Sequence, residues 1–148
     1  MTRPIRIEYP SSGLTAVHFI RLNLTRDRET VSENFYWRGL EDGNFRALRD
    51  LPKVTLEAST RVERQSSRWV LITVLNNSGS QPALMVRVKA VREKSGDRIL
   101  PALYCDNYIA LMPGEKRTIQ TELEDADTRG ERPRIVIEGF NLAAVAER

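Results

Sequence analysis

The feature that most constrains this chain is the stretch from Tyr104 to Glu115, where a strand end, a polar corner, a short apolar strand and a Pro-Gly turn follow one another. Pro113 fixes φ at the first central position of a turn, and Gly114 accepts the positive φ that the second central position of a type II turn requires. Such dense turn signals around short β-forming runs are typical of an all-β sandwich and not of an active site.

β-forming segments separated by turn residues continue from Lys53 to Asn141. Val54, Leu56 and Ala58 alternate with polar residues, which predicts a half-buried strand. The segment 68–76 is apolar on both faces, so we expect it to lie centrally. Further strands are predicted at 83–92, 98–104, 107–111, 115–123 and 134–140, followed by a short tail over 142–148 that is either helical or frayed. About seven strands at this spacing predict an immunoglobulin-like antiparallel β-sandwich.

A β-hairpin is predicted upstream of this series. Residues 16–25 and 30–37 are rich in β-forming residues and flank the polar turn Arg26-Asp27-Arg28-Glu29. Such a hairpin is surplus to a seven-strand sandwich, so we expect it to be an extra N-terminal element.

The segment between the hairpin and the sandwich predicts a linker that is packed on a surface. It contains several structure-breaking residues, yet its apolar residues need somewhere to bury, and one helical turn is predicted around Phe45. We therefore predict two parts: residues 1–50 with the hairpin and linker, and residues 51–148 with the sandwich.

Charge and cysteine content exclude several classes of protein. The chain has 23 basic and 20 acidic residues, interleaved along its length, whereas nucleic-acid binding requires a concentrated basic face. No apolar run approaches the roughly 18 residues that span a bilayer. A single cysteine permits no internal disulfide. We predict neither a nucleic-acid partner nor a membrane partner.

The sequence offers no convincing catalytic or metal-binding set. His18 is the only histidine and Cys105 the only cysteine, and they fall in different predicted parts of the chain. A nucleophile needs a base beside it, and zinc needs more such ligands. The carboxylates between Glu122 and Asp127 could imitate a glycosidase acid pair, but a solvated acidic loop is the simpler interpretation. We predict no catalytic residue, no metal site and no cofactor.

A sugar-binding surface is a separate hypothesis. Tyr108 flanks a polar corner and is the best candidate for an exposed ring that could stack on a sugar, with Tyr104 as a second aromatic. Asp106 and Asn107 could present oxygens to a sugar or a cation. The alternative is that these two side chains only hold the bend by bonding to nearby backbone.

Six short motifs occur in a characteristic order. They are Asn34-Phe35-Tyr36-Trp37, Leu51-Pro52-Lys53-Val54, Asn76-Asn77-Ser78, Asp106-Asn107-Tyr108, Leu111-Met112-Pro113-Gly114-Glu115 and Gly139-Phe140-Asn141. In this order the chain resembles the C-terminal end of a family 2 glycoside hydrolase of the exo-β-glucosaminidase and β-mannosidase type. The resemblance covers most of the chain.

The resemblance implies an accessory domain without catalytic residues. The family's catalytic glutamates lie on a TIM barrel that has no counterpart in this sequence. The implied partners are the catalytic barrel and the neighbouring β domains of a parent enzyme, which hydrolyses a β-glycoside with retention. The domain would brace the barrel or shape the substrate cleft. A carbohydrate-binding module is the alternative, and a free-standing enzyme ranks last.

The resemblance also implies that the hairpin is the end of a preceding domain, separated from its partner strands. A lone hairpin is only marginally stable, and its open edges tend to pair. We therefore expect the chain to form homo-oligomers through the hairpin.

Overall fold

The structure is a computed structural model that describes residues 12–147. Within these residues the chain forms ten strands and two short 3-10 helices, which confirms the all-β prediction. The strands are β1 Val17–Arg26, β2 Glu29–Gly39, β3 Val54–Gln65, β4 Arg68–Asn76, β5 Ala83–Arg92, β6 Leu103–Tyr104, β7 Ile109–Leu111, β8 Lys116–Glu124, β9 Pro133–Glu138 and β10 Leu142–Glu147. The 3-10 helices are Arg46–Asp50 and Asp125–Thr128. Residues 1–11 of the predicted first part and Arg148 of the predicted tail lie outside the described residues.

The chain divides into two compact units, Met1–Leu51 and Pro52–Arg148. The first contains β1, β2 and the helix Arg46–Asp50, and the second contains β3 to β10. Among the described residues, no helix combines the length and the apolar character needed to cross a membrane.

The first unit is built on the predicted antiparallel hairpin. Asp27 and Arg28 connect β1 to β2 and both have positive φ, 51° and 70°, as a two-residue turn of type I′ requires. One face of the hairpin carries an aromatic cluster. Phe19 stacks on Phe35 with ring centroids 5.4 Å apart and meets Trp37 edge-on at 5.9 Å.

The linker contains the helical turn that the sequence predicts. It forms the 3-10 helix Arg46–Asp50, and Leu48 within it is buried. Leu40 and Phe45, two of the apolar linker residues that we expected to be buried, remain exposed.

The second unit is a sandwich of two sheets, as predicted. The larger sheet has the order β10-β3-β4-β8-β6 and the smaller the order β7-β5-β9. The central position of β4 confirms the prediction from its apolar faces. In β8, the inward positions of Ile119 and Leu123 are also as predicted.

The core lies between the two sheets and follows the alternation of the strands. The side chains of Leu56, Leu71, Val86, Val88 and Ile119 have at most 1% of their surface exposed. Burying an aliphatic side chain of this size contributes roughly 1.5–3 kcal/mol. The apolar positions that alternate along the strands in the sequence are therefore the positions whose side chains form the core.

The prediction for the C-terminal tail is wrong, because β10 is a strand. It pairs with β3 in parallel, from Leu142 opposite Val54 to Glu147 opposite Ala58, so the sandwich is not purely antiparallel. After β9 the chain crosses from the small sheet to the large one instead of turning back in a hairpin. Leu142 and Val145 then pack against the core.

Asn141 lies buried at this crossing and joins three parts of the sandwich. Its Oδ1 accepts a hydrogen bond from the Leu84 backbone nitrogen at 2.9 Å, and its Nδ2 donates to the carbonyl oxygens of Pro52 at 3.1 Å and Pro82 at 2.8 Å. The Phe140 nitrogen donates to the Leu84 carbonyl at 2.9 Å. The start of β3, the start of β5 and the crossing are thus held together by one side chain.

Asn77 makes a similar set of bonds at the loop that leads into β5. Its Nδ2 donates to the carbonyl oxygens of Gln81 at 2.8 Å and Leu111 at 2.9 Å, while its Oδ1 accepts from the Gly79 nitrogen at 3.2 Å. Because Gln81 and Pro82 are adjacent, the two buried asparagines hold the entry to β5 from both sides.

We expect the substitution Asn141→Ala to lower the free energy of unfolding by about 2–4 kcal/mol, because it removes three hydrogen bonds and leaves the buried Leu84 N–H without an acceptor. Urea unfolding followed by tryptophan fluorescence measures this change. Asn76→Ala is the matched control, since Asn76 is half-buried and donates only one side-chain bond, to Glu57 at 2.7 Å. If both substitutions lowered the free energy of unfolding by the same amount, the result would contradict the special role of Asn141.

Candidate functional site

Asn107 ties the polar corner to the small sheet. Its Oδ1 accepts from the backbone nitrogens of Val88 at 2.9 Å and Tyr108 at 3.0 Å, and its Nδ2 donates to the Val88 carbonyl at 3.1 Å. Asp106 Oδ1 in turn accepts from the Asn107 nitrogen at 2.8 Å. These contacts are those of a structural corner. The predicted role of Asp106 and Asn107 in binding a sugar is not tested by them and stays a prediction.

Tyr104 links the two sheets. Its hydroxyl oxygen accepts a hydrogen bond from the Ala90 nitrogen of β5 at 3.0 Å, although Tyr104 itself belongs to β6 of the larger sheet. The side chain is half-buried and packs against the core. Its geometry is that of a brace within the sandwich, which leaves its predicted contact with a sugar as a prediction.

Tyr108, by contrast, is an exposed ring, with 57% of its surface accessible. Its φ of 56° lies in the left-handed region, which bulky residues seldom adopt. The hydroxyl oxygen accepts from Arg87 Nη1 at 3.3 Å, and the Arg87 guanidinium carbon lies 5.9 Å from the ring centroid. Tyr104 and Tyr108 therefore do not form a pair of equally exposed rings.

A charged network adjoins Tyr108 on the outer face of the small sheet. Glu138 Oε2 accepts from Arg87 Nε at 2.9 Å and from Nη2 at 2.5 Å, and Glu138 Oε1 accepts from Lys89 Nζ. The hydrogen bond from Lys89, followed by that from Arg87, lowers the pKa of the Glu138 carboxyl. The hydrogen bonds to Tyr108 and Glu138 raise the pKa of Arg87. Both pKa shifts favour the charged forms of Glu138 and Arg87.

Arg87 and Lys89 alternate with apolar residues in the sequence of β5, but nothing near them in the sequence identifies their shared partner. Glu138 lies 51 residues beyond Arg87, and only the pairing of β5 with β9 brings the two opposite each other. Opposite charges on outward positions of two predicted strands were the one signal available.

The remaining candidate groups are dispersed over the described residues. His18 lies opposite Arg38 in the hairpin, and Cys105 is exposed beside β8, where its Sγ accepts from the Gln120 nitrogen at 3.2 Å. Residues 12–147 contain no group of three or more His, Cys, Asp or Glu side chains that could hold a metal ion. The predictions about catalytic residues and cofactors stay predictions.

The acidic residues at the end of β8 and directly after it are engaged in ion pairs. Arg68 binds Glu122 at 3.2 Å and Glu124 at 3.3 Å. Asp125 accepts from Arg64 Nη2 and from Trp69 Nε1, both at 2.6 Å. Trp69 is half-buried and packs against the core.

Two packed sheets with an asparagine-bonded corner define an immunoglobulin-like β-sandwich domain. The family model of the exo-β-D-glucosaminidase Ig-fold domain matches residues 34–142, and the chain belongs to this family. The resemblance on which the sequence analysis relied is thereby confirmed.

Curated relatives are much longer than this chain. The exo-β-D-glucosaminidase of Streptomyces avermitilis is 29% identical over 89% of this chain and 17% of its own length. That of Amycolatopsis orientalis is 37% identical over 88% of this chain and 15% of its own length. The chain thus spans about one sixth of these relatives.

A solved structure shares the fold. The crystal structure of the Amycolatopsis orientalis exo-chitosanase CsxA superposes with a TM-score of 0.82 at 25% identity, over 90% of this chain and 18% of that one. The domain is therefore a small part of a larger exo-glucosaminidase in the proteins that it resembles.

Proposed function

We propose that this chain is a non-catalytic accessory domain of a family 2 β-glycosidase, in which it braces the catalytic barrel or shapes the substrate cleft. The observation that carries the proposal is the coverage: the chain corresponds to only 15–17% of the exo-β-D-glucosaminidases of two bacteria that it matches. The reaction of the parent enzyme would be hydrolysis of a β-glucosaminide or a related β-mannoside.

The fold suits a role in positioning. Asn77, Asn107 and Asn141 each bond loop backbone to a strand, so the loops between strands are held by the core. A rigid domain that is pressed against a cleft loop keeps substrate contacts in place. A displacement of about 1 Å can lower a rate on the order of 100-fold.

We expect a chimera to reveal this role. In the Amycolatopsis orientalis enzyme, the segment that matches this chain is either deleted or replaced by this chain. The replacement should give at least about tenfold higher kcat/KM for a chromogenic β-glucosaminide than the deletion, because the cleft loops regain their support. Steady-state kinetics measure the difference, with the intact relative as the upper reference. A deletion variant as active as the chimera would overturn the proposal.

A carbohydrate-binding module is the second candidate, and the exposure of Tyr108 favours it. Asp106 lies two residues before Tyr108 in the chain and could contact a sugar hydroxyl, with Asn107 and Tyr104 completing the candidate set. Two facts weigh against it: Arg87 lies over the Tyr108 ring, and Tyr104 is half-buried with its hydroxyl bonded to Ala90. A stacking platform needs freely accessible ring faces.

We expect backbone-amide NMR spectra of the chain to remain unchanged in millimolar chitosan, mannan or cellulose oligosaccharides. The physical reason is that Tyr104 is half-buried and Arg87 lies over the ring of Tyr108, so these two rings do not form a row of open aromatic faces. Saturating shifts confined to residues around Tyr108 would instead establish the binding module and identify its face. The variant Tyr108→Asn is the control, since it should abolish any such shifts.

We also propose that the chain self-associates through the hairpin. Within residues 12–147, the sheet formed by β1 and β2 has two strands, and several large side chains on it are exposed, namely Leu22, Leu24, Val31 and Tyr36. Light scattering should show a mass that rises with concentration, and Leu24→Lys should reduce the rise. A constant monomer mass over a wide concentration range would contradict this proposal.

A further inference from the structure

Three large apolar side chains lie exposed in adjacent parts of the second unit. Tyr108, Met85 and Phe140 expose 57%, 44% and 46% of their surfaces. Met85 follows Leu84, whose carbonyl accepts from the Phe140 nitrogen, and it precedes Val86, which pairs with Ile109 next to Tyr108. Phe140 is bonded to Leu84, next to Met85, whereas Tyr108 lies opposite Arg87, the next outward position of β5. The three residues therefore form a diagonal row across the outer face of the small sheet. We call Tyr108, Met85 and Phe140 the apolar row.

Two members of the apolar row lie at backbone positions with positive φ. Met85 and Tyr108 have φ of 50° and 56°, which for a bulky residue costs roughly 1–2 kcal/mol. The register of β5 shifts between Ala83 and Val86, and Met85 lies within this bulge. Its side chain is exposed, while Leu84 and Val86 on either side remain fully buried, as the alternation of a strand requires. Because the side chains of Met85 and Tyr108 are exposed, they add no buried area to the core. Packing of the core therefore does not explain why the strained backbone is kept at these two positions.

The surroundings of the row give it the character of a protein interface. Arg87 and Lys89 share the single carboxylate of Glu138, so charged side chains adjoin Tyr108. Aromatic residues, methionine and arginine are enriched at the centres of protein–protein interfaces, and arginine and tyrosine supply many of their strongest contacts. A sugar platform fits less well, because Met85 has no ring and Arg87 covers the ring of Tyr108.

We propose that the apolar row is the surface by which this domain docks on the remainder of its parent hydrolase. The inference rests on the proposed accessory function. The partner is inferred from how little of the solved relative this chain matches. The matched part is 18% of that polypeptide, so most of it is available as a surface on which the domain docks. The docking surface of the partner is expected to combine apolar side chains with a carboxylate or carbonyl group that meets Arg87 or Lys89.

The test uses the chimera described above together with the isolated chain. Met85→Asn and Tyr108→Asn each remove an apolar side chain, and asparagine adopts positive φ more readily than most residues, so the fold should survive. Leu103→Asn is the matched control, because Leu103 is a 71% exposed leucine on the edge strand β6, away from the row in the sheet order. Phe140→Ser is a second row variant whose site has no positive φ.

The row variants should leave the melting temperature of the isolated chain close to that of the parent sequence. In the chimera, each should raise the rate of thermal inactivation about tenfold, as expected for a central interface contact, whereas Leu103→Asn should not. If a row variant destabilises the isolated chain, Phe140→Ser replaces it in the comparison.

The outcomes separate the two proposals. If the unmutated chimera is no better than the deletion variant, the accessory function fails and the docking surface fails with it. If the chimera is stabilised but the row variants inactivate no faster than it does, only the docking surface is overturned. A Leu103→Asn effect as large as that of the row variants would likewise overturn it.

Discussion

The bonds of Asn141 are the constraint on which most of the sandwich depends. A buried amide is tolerated only when its donors and acceptor are satisfied, and here they are satisfied by backbone from three separate parts of the chain. The side chain thereby sets where β3 begins, where β5 begins and how the chain crosses from β9 to β10. The parallel pairing of β10 with β3 follows from that crossing.

The same bonds also determine the outer surface. Leu84 uses both of its backbone groups at the crossing, donating to Asn141 and accepting from Phe140. Met85 comes next, on the outward side of β5, and Asn107 fixes Tyr108 just before the neighbouring strand β7. An interior hydrogen-bond network thus presents a set of exposed apolar side chains, which connects the stability of the domain to its proposed work in a larger enzyme.

Sequence patterns could predict the parts of the structure that depend on periodicity and local turn chemistry. The alternation of Leu56 and its neighbours identified β3, and Pro113-Gly114 identified a turn in which Gly114 has φ of 79°. β10 could not be recognised, because three of its six residues are alanine and the strand forms only by pairing with β3. Asn107 was expected to hold a bend, but its bond to Val88, 19 residues away, depends on the packed fold.

The candidate site was predictable to a smaller extent. The exposure of Tyr108 beside a polar corner follows from the sequence, and the alternation of Leu84 and Val86 places Met85 on the outward side of its strand. The bulge at Met85, with its φ of 50°, is not indicated by this unbroken β-forming run. The ion pairs of Glu138 join residues that are distant in sequence, so they require the pairing of β5 with β9. Both the bulge at Met85 and the ion pairs of Glu138 depend on how the strands pair, which local sequence patterns do not encode.

The central claim is that this domain acts by packing on the rest of a hydrolase and not by chemistry of its own. Hydrogen–deuterium exchange, compared between the isolated chain and the same chain within the chimeric enzyme, tests it most directly. The account predicts that exchange slows in the enzyme for peptides that contain Met85, Tyr108 and Phe140, and that the strands of the core change little. Identical exchange in both contexts throughout residues 52–147 would contradict it.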